Sequence, residues 1–274
     1  MKVLNKVSCK NLDLQLKNKK VLVTGSTAGI GYAIAEAMAT EGATVILNGR
    51  NEDTLQESLE KIKNETGVIA SGFAGDLSRE DQVEKLVIAY GDIDILINNL
   101  GIFEPVAFED ISDDDWLHMF NVNVLSGIRL CRKYIPYMKK ADWGRIIFIS
   151  SESGLQIPAE MIHYGMTKSA QISIARGLAE SLAGTNITVN SILPGPTKSR
   201  GVVDFVNDLA KQAEQSFEEF EEDFFRHVRP TSLIKRFATP EEVASLVVYI
   251  ASPLASATTG ASLRVDGGVV KSAF

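Results

Sequence analysis

The stretch Lys20-Val-Leu-Val-Thr-Gly-Ser-Thr-Ala-Gly-Ile-Gly31 decides how the chain folds. Its apolar run has no polar interruption, the pattern of a strand buried on both faces. Glycines follow at Gly25, Gly29 and Gly31, and apolar residues then recur at helical spacing until Gly42 stops them. A strand that turns through glycines into a helix gathers unpaired main-chain N–H groups and the positive end of the helix dipole at one point. Without Cβ atoms, the main chain there can lie close to a pyrophosphate. The turn therefore predicts a dinucleotide site on Gly25, Ser26, Thr27, Gly29, Ile30 and Gly31. Glycines alone also suit a plain strand-to-helix turn, so the context of the whole chain matters.

That context is a regular alternation. Apolar runs predict strands at 20–24, 44–48, 94–98, 145–150, 187–191 and 261–265, with a further apolar stretch at 68–73. Between them, amphipathic spacing predicts helices at 30–41, 52–66, 79–90, 112–138, 162–183 and 241–251, with Ser112 as a cap and Pro240 in a first turn. Strands alternating with helices imply a parallel sheet covered on both faces. The expected fold class is α/β: a single Rossmann-like, doubly wound sheet of about seven strands in one domain spanning 1–274. Residues 202–237 interrupt the alternation and predict a helical insertion.

Bulk properties narrow the function. The 274 residues are 45% hydrophobic and 23% charged, ordinary for a globular protein. A net charge of −7 argues against a nucleic-acid surface or an anionic membrane as partner. No run approaches the ~18 apolar residues of a transmembrane helix, and the N-terminus lacks the apolar core of a signal peptide. Cys9 and Cys131 are too far apart to suggest a metal site, and free thiols predict the reducing cytoplasm.

Further motifs follow the glycine turn in order. They are Asn98-Asn-Leu-Gly101, Asn121-Val-Asn-Val-Leu-Ser-Gly127, Ile149-Ser-Ser-Glu-Ser-Gly154, Tyr164-Gly-Met-Thr-Lys168 and Pro194-Gly-Pro-Thr-Lys-Ser199. Tyr164 is the only one of six tyrosines with a lysine four residues on, and i, i+4 residues share a helix face. A phenol is a poor proton carrier near neutral pH unless a cation lowers its pKa, and Lys168 is so placed. With the Thr-Gly-x-x-x-Gly-x-Gly turn, this set resembles the short-chain dehydrogenase/reductase family over residues 15–268. Leu100 and Ser199 replace the family's usual Ala and Thr.

The resemblance implies an oxidoreductase that interconverts a ketone and a secondary alcohol. Tyr164 would be the general acid/base, Ser151 would align the carbonyl oxygen, Lys168 would also hold the nicotinamide ribose, and Asn123 would position a relay water. It implies further cofactor contacts from Asn98, Gly101, Pro194, Gly195, Thr197 and Ser199, and an adenine pocket at Asp76 and Leu77. The family's NAD-selecting acid past the second strand is replaced by Gly49, followed by Arg50, which could pair with a 2′-phosphate. NADP is therefore favoured over NAD, although Ala28 lacks the second basic residue of many NADP-preferring relatives. The resemblance also implies a homotetramer or dimer. A 3-oxoacyl thioester reductase is one candidate activity, with an acyl-carrier protein docking on Arg129, Arg132, Lys133, Lys139 and Lys140. The alternative is an inactive nucleotide-binding regulator on the same fold.

Some features read as structural. Glu152, Met161 and His163 flank the motif residues, and sequence neighbours point elsewhere on a helix. Trp116 and Trp143 read as structural, and Arg226 and Arg229 as surface residues, the alternative being that they meet an acidic substrate. Phe217, Phe220 and Phe224 recur at helical spacing among acids, as on a helix packed on the body. The sharper reading makes them a lid which, with Phe103 and Ile157, lines an apolar pocket.

Overall fold

A computed structural model describes residues 12–199 and 216–273. The first unit comprises β1 (Lys20–Val23), α1 (Gly29–Thr40), β2 (Thr44–Gly49), α2 (Glu52–Thr66) and β3 (Ser71–Ala74). Then come α3 (Glu80–Tyr90), β4 (Ile95–Asn98), α4 (Asp113–Phe120), α5 (Ser126–Ala141) and β5 (Gly144–Ile149). The chain continues through α6 (Ile162–Ser181), β6 (Ile187–Pro194), α7 (Phe217–Asp223), α8 (Pro240–Ala251) and β7 (Ser262–Val265).

The seven strands form one parallel sheet in the order β3-β2-β1-β4-β5-β6-β7. Both faces are covered, as the continuous apolar strands require. Val21, Val23, Ile95, Ile97, Ile147 and Ile149 pack toward α1, α2 and α8. Their neighbours Leu22, Leu96, Ile146 and Phe148 pack toward α3, α5 and α6. The order reverses between β1 and β4, which opens a crevice at the carboxyl ends of the strands.

Three expectations change. The helix expected at 112–138 is helical throughout but widens into a π-turn at Asn121–Leu125. Ser112 caps it with a capping box to Asp115. The wide turn leaves the Asn123 carbonyl to accept a bond from Gln171 Nε2 at 2.6 Å. The strand expected at 187–191 runs on to Pro194, because β7 pairs with Ser191 through Pro194. At 68–73 only Ser71 onward is strand, since pairing with β2 begins at Ser71 opposite Ile46.

Of the expected 202–237 insertion, residues 202–215 lie outside the described residues, as does Cys9. The remainder holds α7, capped by Ser216, which runs into a π-turn at Phe224–Val228. The buried rings are Phe225 and Phe237, with centroids 5.1 Å apart. Phe217, Phe220 and Phe224 pack around them. Trp143 packs on the core with Lys19 and Arg145 over its ring, and Trp116 meets His163 edge-on. No helix among the described residues is long and apolar enough to cross a membrane.

Candidate active site

The glycine turn is held from both sides by asparagines. From β2, Asn48 Oδ1 accepts from Gly25 N at 3.2 Å, while Nδ2 donates to the carbonyls of Phe73 and Gly75, each at 3.0 Å. From the end of β4, Asn99 Nδ2 donates to the carbonyls of Thr24 and Gly25, each at 2.9 Å. Thr24 Oγ1 in turn accepts from the main-chain N–H groups of Asn99 and Leu100. Gly25 and Gly29 take positive φ values of 59° and 57°. A Cβ on Gly31 would lie 2.4 Å from Gly25 O and 2.5 Å from Asn99 Nδ2. Only glycine fits there, and the cradle is open to a pyrophosphate at the start of α1.

The other expected cofactor residues divide. Ile30, Gly101, Pro194, Gly195, Thr197 and Ser199 line a cavity of about 420 Å³ at the carboxyl ends of the strands. Ser199 comes over the start of α1, so that a Cβ on Gly29 would lie 3.1 Å from its own Cβ. A Cβ on Gly101 would press on Lys168 Nζ and Asn123 Oδ1, each at 3.4 Å. Ser26 turns inward, donating to Val23 O at 2.8 Å and accepting from Asn48 N. Thr27 packs on Gly49 instead, its methyl filling the space of a side chain there. Leu77 buries its side chain in the core, and Asp76 Oδ1 caps Ser78 N, leaving main chain to meet an adenine. Arg50 is exposed at the end of β2.

Asn98 is the clearest departure. Its side chain lies in the core, with Nδ2 3.7 Å from Cys131 Sγ and Oδ1 unpartnered. Alternation along β4 sends Asn98 inward and leaves Asn99, past the strand's end, in the crevice. Asn48 and Asn99 are the functional residues that sequence reasoning missed. The signal for both was a polar side chain ending an otherwise apolar strand.

Ser151, Tyr164 and Lys168 meet at the base of the cavity. Ser151 follows β5, and its hydroxyl accepts from Ser153 N at 3.1 Å and faces the same cavity as Tyr164. Tyr164 and Lys168 lie one turn apart on α6, the ammonium 5.5 Å from the ring centroid. Lys168 Nζ donates to Ile149 O at 3.0 Å. Burial pushes the phenol up to about 12, and the Ser151 hydroxyl draws it partly back. Burial pulls the Lys168 ammonium down to about 8. In the protein without cofactor, burial is the largest influence on the phenol, and Tyr164 keeps its proton at neutral pH.

Asn123 lies outside the cavity wall. Its Nδ2 donates to Ile102 O at 2.9 Å and Thr167 Oγ1 at 3.0 Å, while Oδ1 accepts from Ile102 N at 2.7 Å. It ties the loop after β4 to α6, which makes it a positioning residue.

The cavity wall is largely apolar, with Phe103, Met161, Phe220, Phe224, Val228 and Phe237. Ile157 is elsewhere, packed over Gly165. His163 is buried with Nδ1 unpartnered and does not line the cavity. Besides Met161, two residues given no site role from the sequence, Glu152 and Arg229, do line it. Arg229, 11% exposed, donates from Nε to the buried Glu152 carboxylate at 3.2 Å, and its Nη1 reaches Glu160 at 3.4 Å. Arg226 stays on the surface with Glu222 and Asp223. Among the described residues, no group of His, Cys, Asp or Glu could hold a metal.

A family model described as enoyl-(acyl carrier protein) reductase matches residues 25–270. The chain is 46% identical over 264 residues to the uncharacterized oxidoreductase YvaG of Bacillus subtilis, covering 96% of this chain and all of that one. It is 34% identical to the 3-oxoacyl-[acyl-carrier-protein] reductase FabG of Aquifex aeolicus, over 93% of this chain and all of FabG. Among solved structures, L-sorbose reductase from Gluconobacter frateurii, complexed with NADPH and L-sorbose, superposes with a TM-score of 0.90 at 30% identity. That match covers 95% of this chain and all of the other. The fold agrees with these matches, and the chain belongs to the short-chain dehydrogenase/reductase family of oxidoreductases.

Proposed function

We propose that the protein reduces a ketone to a secondary alcohol with NADPH, Tyr164 supplying the proton. The observation that carries this is that Tyr164, Ser151 and Lys168 line one cavity that opens beside the glycine cradle. The NADPH-complexed sorbose reductase supports the cofactor, as do Gly49, where an NAD-selecting acid would stand, and exposed Arg50 beside it. NADPH, when bound, supplies the hydride that reaches the carbonyl carbon.

The chain's own groups do the rest. Gly25, Gly29 and Gly31 leave room for the pyrophosphate, and Gly101, Pro194, Gly195, Thr197 and Ser199 wall the nicotinamide end. Ser151 holds the carbonyl oxygen within reach of the Tyr164 hydroxyl. Tyr164 gives its proton to that oxygen as charge develops, and the neighbouring Lys168 ammonium stabilises the phenolate left behind. Lys168 lowers its own desolvation cost by bonding Ile149 O, so it is held in place before substrate arrives. Residues 216–237 close the apolar side of the site, in keeping with one domain carrying a substrate-covering insertion.

The chemistry-bearing residues are in place, which counts against an inactive regulator. An acyl-carrier protein finds little on the basic face. Arg129 is bound to Ser78 O and Asn121 Oδ1, and Lys133 pairs with Glu84. Exposed Leu117 and Phe120 on α4 support a homo-oligomer formed through that face. The buried, unpaired thiol of Cys131 suits the cytoplasm. A screen of neutral ketones with NADPH, followed at the nicotinamide absorbance, tests the activity. NADPH that binds tightly without being oxidised by any ketone would defeat it.

A further inference from the structure

We infer that the Glu152–Arg229–Glu160 bridge is a charge filter that restricts this site to uncharged ketones with an apolar body and rejects carboxylate-bearing ones. This rests on the ketone-reductase reading above. Among the described residues lining the cavity, four carry charge: Glu152, Glu160, Lys168 and Arg229. Lys168 lies at the base, beside Tyr164. The other three stand together on the wall.

Arg229 would ordinarily invite an anion. Here its guanidinium already meets Glu152 at 3.2 Å and Glu160 at 3.4 Å, two carboxylates to one cation. An incoming carboxylate therefore faces a corner of net negative charge on a largely apolar wall. Arg229 Nε and Nη1 are already taken, by Glu152 and by Glu160 with the Val228 carbonyl. Pulling Glu152, whose side chain is only 4% exposed, off the guanidinium would leave a buried carboxylate unpaired. Glu152 Oε2 has no hydrogen-bond partner as it stands, and a substrate carboxylate brings acceptors only. Burial raises the Glu152 pKa, the sign of a carboxylate in poor solvent. The rest of the wall, with Phe103, Phe220, Phe224 and Phe237, offers a neutral aromatic or aliphatic body the contacts it needs. Discrimination of this kind comes from a built-in repulsive element.

The test compares ligands that differ only in charge, 3-benzoylpropanoate and its methyl ester. Their affinities for the enzyme–NADPH complex are measured by calorimetry, and turnover is followed in parallel. The ester should bind at least about tenfold more tightly than the acid to the wild type. In Glu152→Gln that ratio should fall by about tenfold, because Glu160 alone then balances Arg229 and the corner loses its net negative charge. Glu160→Gln, at an exposed position that leaves the core intact, should lower the ratio in the same direction by a smaller factor. Equal binding of acid and ester to the wild type, an unchanged ratio in both variants, or no saturable binding of the ester would each overturn the filter. An ester that binds with the expected ratio but is never reduced would instead defeat the ketone-reductase reading and leave the filter standing.

Discussion

Lys168 holds its ammonium 5.5 Å from the centre of the Tyr164 ring and donates a hydrogen bond to the carbonyl of Ile149. The two groups share one face of α6, yet burial drives their pKa values apart, the phenol up to about 12 and the ammonium down to about 8. The pair is therefore set for proton donation. The phenol keeps its proton until a developing alkoxide asks for it, and the lysine is the nearest group able to stabilise the resulting charge.

Replacing Tyr164 with Phe removes that proton and little else, because the ring still packs edge-on against Phe103. The kcat for ketone reduction should fall by about 10²–10⁴-fold. NADPH affinity, measured by fluorescence titration, should stay within about threefold of the wild type, since the lost hydroxyl lies with Ser151 rather than at the glycine cradle.

Lys168 also leaves a signature in stability. Its folded pKa of about 8 lies below its ordinary value of 10.5, so the unfolded chain binds the proton more tightly between those values. The wild type should thus gain stability relative to Lys168→Met as pH rises from about 8 to about 10. The contribution is lost again as pH falls through the folded pKa. Tyr164 works in the opposite sense above its ordinary value of 10, because its folded pKa is the higher one. Denaturant melts of both proteins across that window read the difference, and parallel curves would show that Lys168 is not desolvated.

Asn48 and Asn99 carry a third prediction. Each ties main-chain groups of the glycine turn that have no other partner of comparable geometry, so either Ala variant should lose about 1–3 kcal/mol of stability. Both should also weaken NADPH binding. Gly31→Ala separates the two effects. Its Cβ would meet Gly25 O at 2.4 Å, and a carbonyl in a tight turn cannot yield as a flexible side chain can. NADPH affinity should collapse while the rest of the sheet melts near its usual temperature.

The fold was legible because period and punctuation agreed along the chain. Apolar runs marked β1, β2, β4 and β5, and Gly42, Ser112 and Pro240 marked helix ends that the structure retains. The motif residues Ser151, Tyr164 and Lys168 were legible because strand and helix periods bring them to one place. What escaped were properties that pattern does not encode. Asn98 and Asn99 are adjacent and alike, and only the strand's end decides that the second faces the turn. Glu152 and Arg229 lie 77 residues apart, so nothing local marks their pairing. Phe225 falls outside the stripe of Phe217, Phe220 and Phe224, yet in the π-turn at Phe224–Val228 it is the ring buried against Phe237.

Cofactor preference is the remaining property that can be read from contacts. A side chain on Gly49 would place its Cβ 2.5 Å from the Thr27 methyl, so an acid cannot enter at that position unless Thr27 moves. Arg50, the next residue, is exposed at the mouth of the adenosine end and has the planar donor fork that suits a phosphate. Arg50→Ala should lower kcat/KM with NADPH by roughly three- to tenfold, as expected for a partly solvated charge pair. The value with NADH should change little, because a ribose hydroxyl offers that guanidinium no charge. Steady-state kinetics with both cofactors measure the ratio. Raising salt should mimic the substitution with NADPH alone, since an exposed pair is screened within about 10 Å at moderate ionic strength. Equal losses with both cofactors would assign Arg50 to the architecture of the strand end and leave the preference to other groups.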